Sequence, residues 1–139
     1  MSTMEIATKP APQTKSGVVP YLMLGDAAGA AKLYEKAFGA KEVNRAYDKD
    51  GKTVLHLHLY LNDASVFLMD PMPHHGHPLE KLQGFNLHLP VDDVDVWFKR
   101  AVDAGAETIM APQDMFWGER YAQVKDSYGV VWGLSSSPK

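Results

Sequence analysis

Apolar and polar positions change rhythm several times between Val18 and Ser135, and each change marks an element. ValValProTyrLeuMetLeu at 18–24 is a short apolar run and predicts a strand. Over 27–38 the period becomes helical, placing Ala30, Ala31, Tyr34, Ala37 and Phe38 on one narrow stripe. Asp26 stands where a helix N-cap belongs, and Gly39 where a left-handed C-cap belongs. A strand at about 41–47 leads to the turn AspLysAspGly, and residues 54–61 then alternate as Val, Leu, His, Leu, His, Leu, Tyr, Leu. Strict alternation predicts a strand with two unlike faces: Leu55, Leu57, Leu59 and Leu61 on one, His56, His58 and Tyr60 on the other. AsnAspAlaSer at 62–65 turns the chain into a strand at 66–70.

The order then recurs sixty-six positions on, as the spacing of Gly39 and Gly105 shows. A strand is predicted over 85–90 and a helix over 93–104, with Asp92 as its N-cap and Val94, Trp97, Phe98, Ala101 and Val102 as its buried stripe. Strands follow at about 107–111, 119–125 and 130–135. The repeat is too long for a solenoid unit and occurs only twice, so it predicts one domain built by duplication. The expected organisation is an N-terminal flexible arm over 1–17 and a single domain over 18–139. That domain has modules at 18–71 and 84–135, joined by a linker at 72–83.

Composition narrows the function. The 139 residues have a net charge of −3 and no cysteine, which removes disulfides, thiolate nucleophiles and Cys-ligated metals. Nothing suggests the basic patch that nucleic acid or an anionic membrane requires. No stretch has the roughly 18 apolar residues of a membrane span, and no secretory leader is evident, so a cytoplasmic location is expected. No serine sits in a nucleophile elbow, and no Gly-rich loop follows a strand in a phosphate-binding pattern.

With these elements, LeuHisLeuHisLeuTyrLeuAsnAspAlaSerValPheLeuMetAsp at 55–70 and MetPheTrpGlyGluArgTyrAlaGlnValLysAspSerTyrGlyValValTrpGlyLeu at 115–134 carry a resemblance. The chain resembles the vicinal oxygen chelate superfamily of glyoxalase I, bleomycin-resistance proteins and extradiol dioxygenases, and within it the PhnB-like branch. That resemblance implies an α+β fold of two βαβββ modules. Their mixed, curved sheets carry helices on the outer face and leave a concave ligand-binding face, and the protein is a homodimer in many small members. It also implies four metal ligands, on the first, fourth, fifth and eighth strands. Carried over by distance from helix caps and turns, those positions fall on Val19 (or Pro20), Leu68, Asn86 and Gly133, of which only Asn86 offers a donor.

The expectation is therefore a small-molecule-binding protein without a cofactor, for sequestration, sensing or transport of an organic ligand. Ligand contacts are expected from His56, His58, Tyr60, Asn86, His88, Trp117, Arg120 and Tyr121, with Trp117 and Arg120 suited to a flat aromatic or anionic ligand. The alternative is an enzyme with a rearranged site, in which His88 or His58 is a general base or His56, His58 and His88 hold a divalent metal. Four features take structural readings: His74, His75 and His77 as part of a mobile linker, AspLysAspGly as a hairpin turn, Trp132 as core, and Asp70 as either a cavity carboxylate or a turn residue.

Overall fold

The computed structural model describes residues 10–139. Among the described residues, eight strands form two four-stranded mixed sheets that do not close, accompanied by two α-helices. The chain divides into two compact units. One holds residues 10–35 together with Gly39–Leu79, the other Lys36–Phe38 with Glu80–Lys139.

In the first unit β1 (Tyr21–Met23), β2 (Lys41–Tyr47), β3 (Val54–Leu61) and β4 (Ala64–Met69) lie in the order β1-β4-β3-β2, with β1 parallel to β4 and the other pairs antiparallel. The predicted alternation of β3 is realised: Leu57, Leu59 and Leu61 are buried, and in register across the sheet Leu57 neighbours Leu68, which neighbours Leu22. Helix α1 (Ala27–Phe38) contributes Ala30, Ala31 and Tyr34 to this unit's buried set. Asp26 caps it through the Gly29 N–H, and Gly39 ends it at φ 70°, a left-handed backbone that a side chain would strain.

β4 begins two residues earlier than expected. Asn62 and Asp63 both take positive φ, so two residues suffice for the hairpin turn and Ala64 is already paired. Of the expected arm, residues 1–9 lie outside the described residues, and the segment around Lys15 is fastened rather than loose. Lys15 N–H donates to Ser65 Oγ at 2.7 Å, the Ser65 N–H returns a bond to the Lys15 carbonyl at 3.2 Å, and Tyr60 donates to the Gln13 carbonyl at 2.8 Å.

In the second unit β5 (Leu87–Pro90), β6 (Glu107–Asp114), β7 (Arg120–Lys125) and β8 (Val131–Ser136) repeat the pattern as β5-β8-β7-β6, with helix α2 (Val94–Asp103) packed on β6, β7 and β8. Its N-cap is Asp93, not Asp92: the Asp93 carboxylate accepts from the Asp95 and Val96 N–H groups. Asp92 instead accepts from the Trp97 indole at 3.1 Å. The buried stripe is also narrower than expected, with Val94 and Ala101 buried and Trp97, Phe98 and Val102 half-exposed. β6 runs past Pro112 because the β6–β7 register is irregular between Met110 and Gln113, which spares the ladder the missing proline N–H. Trp132 is core as predicted, 1% exposed, with the Phe38 ring 4.7 Å away.

Candidate functional site

Opposite the leucine face, the first sheet presents a cluster of rings. Register sets Tyr21 of β1 beside Phe67 of β4 and Phe67 beside His58 of β3. The Phe67 ring lies 4.7 Å from His56, 4.8 Å from His58 and 5.4 Å from Tyr21, each edge-to-face. Tyr21 donates to the Leu55 carbonyl at 3.0 Å, with His56 Nδ1 3.1 Å from its oxygen. His58 Nε2 meets Ser65 Oγ at 2.7 Å, and Lys15 lies 4.3 Å over the Tyr60 ring. Of the three residues expected on this face, His56 is half-exposed, whereas His58 is buried and Tyr60 is held by the N-terminal segment.

Burial lowers the pKa of both imidazoles, and for His58 the neighbouring His56 lowers it further. Both are protonated more readily in the unfolded chain, so stability present above about pH 6.5 is lost as pH falls toward the folded values. The thermal midpoint is expected to be lower at pH 5.5 than at pH 7.5. His58→Gln, which keeps a partner for Ser65 but cannot titrate there, should narrow that difference in a calorimetric pH series.

The second sheet's face opposite α2 carries His88, Gly133 and Gln123 in one cross-strand row, with Tyr121 and Ser135 in the next. His88 Nε2 meets Ser135 Oγ at 2.7 Å, and the His88 ring stacks on Tyr121 with centroids 6.0 Å apart and planes 11° apart. Gln123 Nε2 donates to the Tyr121 oxygen at 2.8 Å. The turn between β6 and β7 adds Trp117, 5.9 Å from Tyr121, and Phe116, 5.1 Å from Trp117; Phe116 is 95% exposed.

Two of the expected contact residues stand in other surroundings. Asn86 precedes β5, and His88 is the residue paired with Gly133. Arg120 is not free to neutralise a ligand: it grips Asp95 through two bonds of 2.7 and 3.0 Å and reaches Asp114 at 3.3 Å. That pairing holds the Asp95 carboxyl below the usual range, with the Arg120 hydrogen bond the leading cause. Asp70 is neither a cavity carboxylate nor a simple turn residue. Its two oxygens accept from the Ala27 and Val54 N–H groups, each at 2.8 Å, tying the start of α1 to β3. The expected mobile linker includes a short 3-10 turn at Pro73–His75 and a bridge between Met72 and His77.

Several face residues gave no sequence signal. Tyr21, Ser65, Phe67, Gln123 and Ser135 sit in runs whose polarity does not alternate, so only strand pairing reveals which way they point. A cleft of about 390 Å³ on the helix side of the second unit is lined by Lys36, Val96, Lys99, Arg100, Asp103 and Ala104. Its charged rim is internally engaged, Lys99 with Asp103 at 2.6 Å and Arg100 with the Lys36 carbonyl at 2.9 Å.

A family model, the Glyoxalase/Bleomycin resistance protein/Dioxygenase superfamily, matches residues 18–134. The chain belongs to that superfamily. An uncharacterized protein of Mycobacterium tuberculosis H37Rv is 39% identical over 138 residues, covering 95% of this chain and 77% of the relative. One of Mycobacterium bovis is 40% identical over 121 residues, covering 83% and 79% respectively. Among solved structures, TioX from Micromonospora sp. ML1 is 26% identical with a TM-score of 0.69, covering 88% of this chain and 98% of TioX. The fosfomycin resistance protein FosX from Listeria monocytogenes is 12% identical with a TM-score of 0.67, covering 90% and 95%, and shows the shared fold alone.

The superfamily's metal implies four ligands on the first, fourth, fifth and eighth strands, and the structure re-registers three of the four positions expected here. Val19 and Pro20 precede β1. Leu68 is fully buried on the leucine face, so Phe67 takes its place on the open face, and Asn86 precedes β5, where His88, two residues on, pairs with Gly133. Tyr21, Phe67, His88 and Gly133 then occupy the paired positions of β1 with β4 and β5 with β8. Neither the phenol and phenyl ring of the first unit nor the imidazole and glycine of the second make a divalent-metal donor set. Among the described residues, no group of three or more His, Cys, Asp or Glu side chains is arranged to hold a metal ion. No helix among them is long and apolar enough to cross a membrane.

Proposed function

We propose that this glyoxalase-superfamily protein binds a small aromatic organic molecule on its ring-lined sheet faces, in a sequestering, sensing or carrier role. The observation that carries the reading is the run of partly exposed rings in each unit: Tyr21, His56 and Phe67 in the first, His88, Tyr121 and Trp117 in the second. Flat, rigid side chains with polar edges supply contact area at low entropic cost and leave a few polar atoms to orient a ligand. Membership of a superfamily that includes bleomycin resistance proteins agrees with this role.

The test is a panel of aromatic compounds read by thermal shift and by perturbation of the Trp117 indole signal. Trp117→Ala and Phe67→Ala each remove one ring. A lost aromatic contact of about 0.5–1.5 kcal/mol corresponds to a roughly 2- to 13-fold weaker affinity. A panel in which no compound binds, or in which neither variant changes binding, refutes the reading.

A further inference from the structure

The row His88–Gly133–Gln123 contains a glycine with a tight space above it. A β-carbon on Gly133 would stand 2.9 Å from the Tyr121 oxygen and 3.1 Å from His88 Nδ1. Gly133 is in no left-handed turn, so the requirement for glycine comes from this approach rather than from φ. Two polar atoms from different strands therefore flank one spot on the open face.

The hydrogen-bond partners decide what those atoms offer. Ser135 is 3% exposed, and among the described residues its hydroxyl oxygen has His88 Nε2 as its hydrogen-bond partner. A buried hydroxyl must place its hydrogen on an acceptor, so Ser135 donates to Nε2 of the neutral ring, which puts the ring's own proton on Nδ1. A protonated ring carries a hydrogen on Nδ1 as well. Tyr121 accepts from Gln123 Nε2, which leaves its own O–H to donate outward. Both groups beside Gly133 are thus donors.

We propose that His88 Nδ1–H and Tyr121 O–H form a two-donor clamp over Gly133 that receives a carbonyl or carboxylate oxygen of the ligand. The inference rests on the aromatic-ligand reading and adds the class of ligand: an aryl ketone, amide or acid whose ring lies toward Trp117. Paired donors aimed at one oxygen are also the arrangement that stabilises an oxyanion, as long as the donors are held in place beforehand. Ser135 and Gln123 do that holding. With Nδ1 protonated, His88 presents no lone pair to this spot, which argues against the general-base role considered from sequence.

Three probes of equal ring size separate the clamp from simple stacking: 2-acetylnaphthalene, 2-naphthoate and 2-ethylnaphthalene, titrated into 15N-labelled protein while the Gly133 amide and Trp117 indole are followed. The ketone, the carboxylate or both should bind about 5- to 100-fold tighter than the hydrocarbon, the gain expected of two net hydrogen bonds. A preference for the ketone or for the carboxylate identifies which oxygen the clamp takes. Tyr121→Phe, which keeps the ring, and Gly133→Ala, which fills the spot, should each remove most of that gain. Imidazole nitrogen shifts should report a proton on His88 Nδ1 in the free protein. Equal affinity for all three probes, with Trp117→Ala still weakening each, overturns the clamp and leaves the aromatic-ligand reading standing. A proton on Nε2 alone, or an oxygen preference unchanged in both variants, also overturns it. Absence of binding by every probe overturns the clamp, and with the wider panel negative it removes the aromatic-ligand reading too.

Discussion

Asp126→Ala is expected to destabilise the protein by about 3–5 kcal/mol and to lower the thermal midpoint by about 10–20 °C. Asp126 is 6% exposed and accepts from the Tyr128 and Val130 N–H groups at 2.8 and 3.1 Å and from the Trp132 indole at 2.8 Å. Trp132 is 1% exposed, so removing the carboxylate strands a buried indole N–H that water cannot reach. The cost then comes from the donors left behind as much as from the bonds lost. Trp132→Phe in the Asp126→Ala background removes the stranded donor and should recover part of the loss, which urea denaturation of the two single variants and the double variant measures. A strictly additive double variant would show that the carboxylate does not act through the indole.

Leu68→Glu and Phe67→Glu should differ sharply although the two residues are adjacent. Leu68 is fully buried between Leu22 and Leu57, where a glutamate has no partner and must either unfold its surroundings or stay protonated. A penalty above about 4 kcal/mol is expected, with little soluble folded protein. Phe67 is half-exposed on the open face, so Phe67→Glu loses ring contacts and leaves its charge in reach of water. A folded Phe67→Glu with near-native far-UV circular dichroism, beside an unfolded Leu68→Glu, is the expected result. The reverse outcome would place the wrong face of β4 toward the core.

This pair also shows where local pattern stops being informative. The strands over 41–47 and 54–61 and the helix over 27–38 match the sequence reading to the residue, because caps, turn residues and strict alternation are local signals that packing here reinforces. β4 reads Ala, Ser, Val, Phe, Leu, Met, with apolar residues on both faces and no alternation to set its parity. Counting from helix caps then selected Leu68, and only the pairing of Leu57 with Leu68 and of His58 with Phe67 corrects it by one residue. A one-residue error also separates Asp92 from the true cap, Asp93, whereas Asn86 lies two residues, one full strand repeat, before His88. In α2 two consecutive aspartates made the choice ambiguous, and Trp97 resolved it by engaging Asp92.

Polar residues were misjudged for a different reason. Arg120 beside Trp117 looks available to a ligand in the sequence, but Asp95 lies on a helix 25 residues away and folding brings it to 2.7 Å. Asp70 looks like a turn residue until two distant N–H groups arrive at its oxygens. By itself the sequence determined the element order, the duplicated βαβββ plan, the superfamily and the presence of imidazoles and aromatics on one face of a strand, since each rests on short-range periodicity or on motif. Tertiary structure alone decided which residues share that face, which are committed to ion pairs, and that His88 and Tyr121 meet over a glycine. Register and hydrogen-bond partners across strands are long-range facts, and a displacement of one residue moves every side chain of a strand to the other side of the sheet.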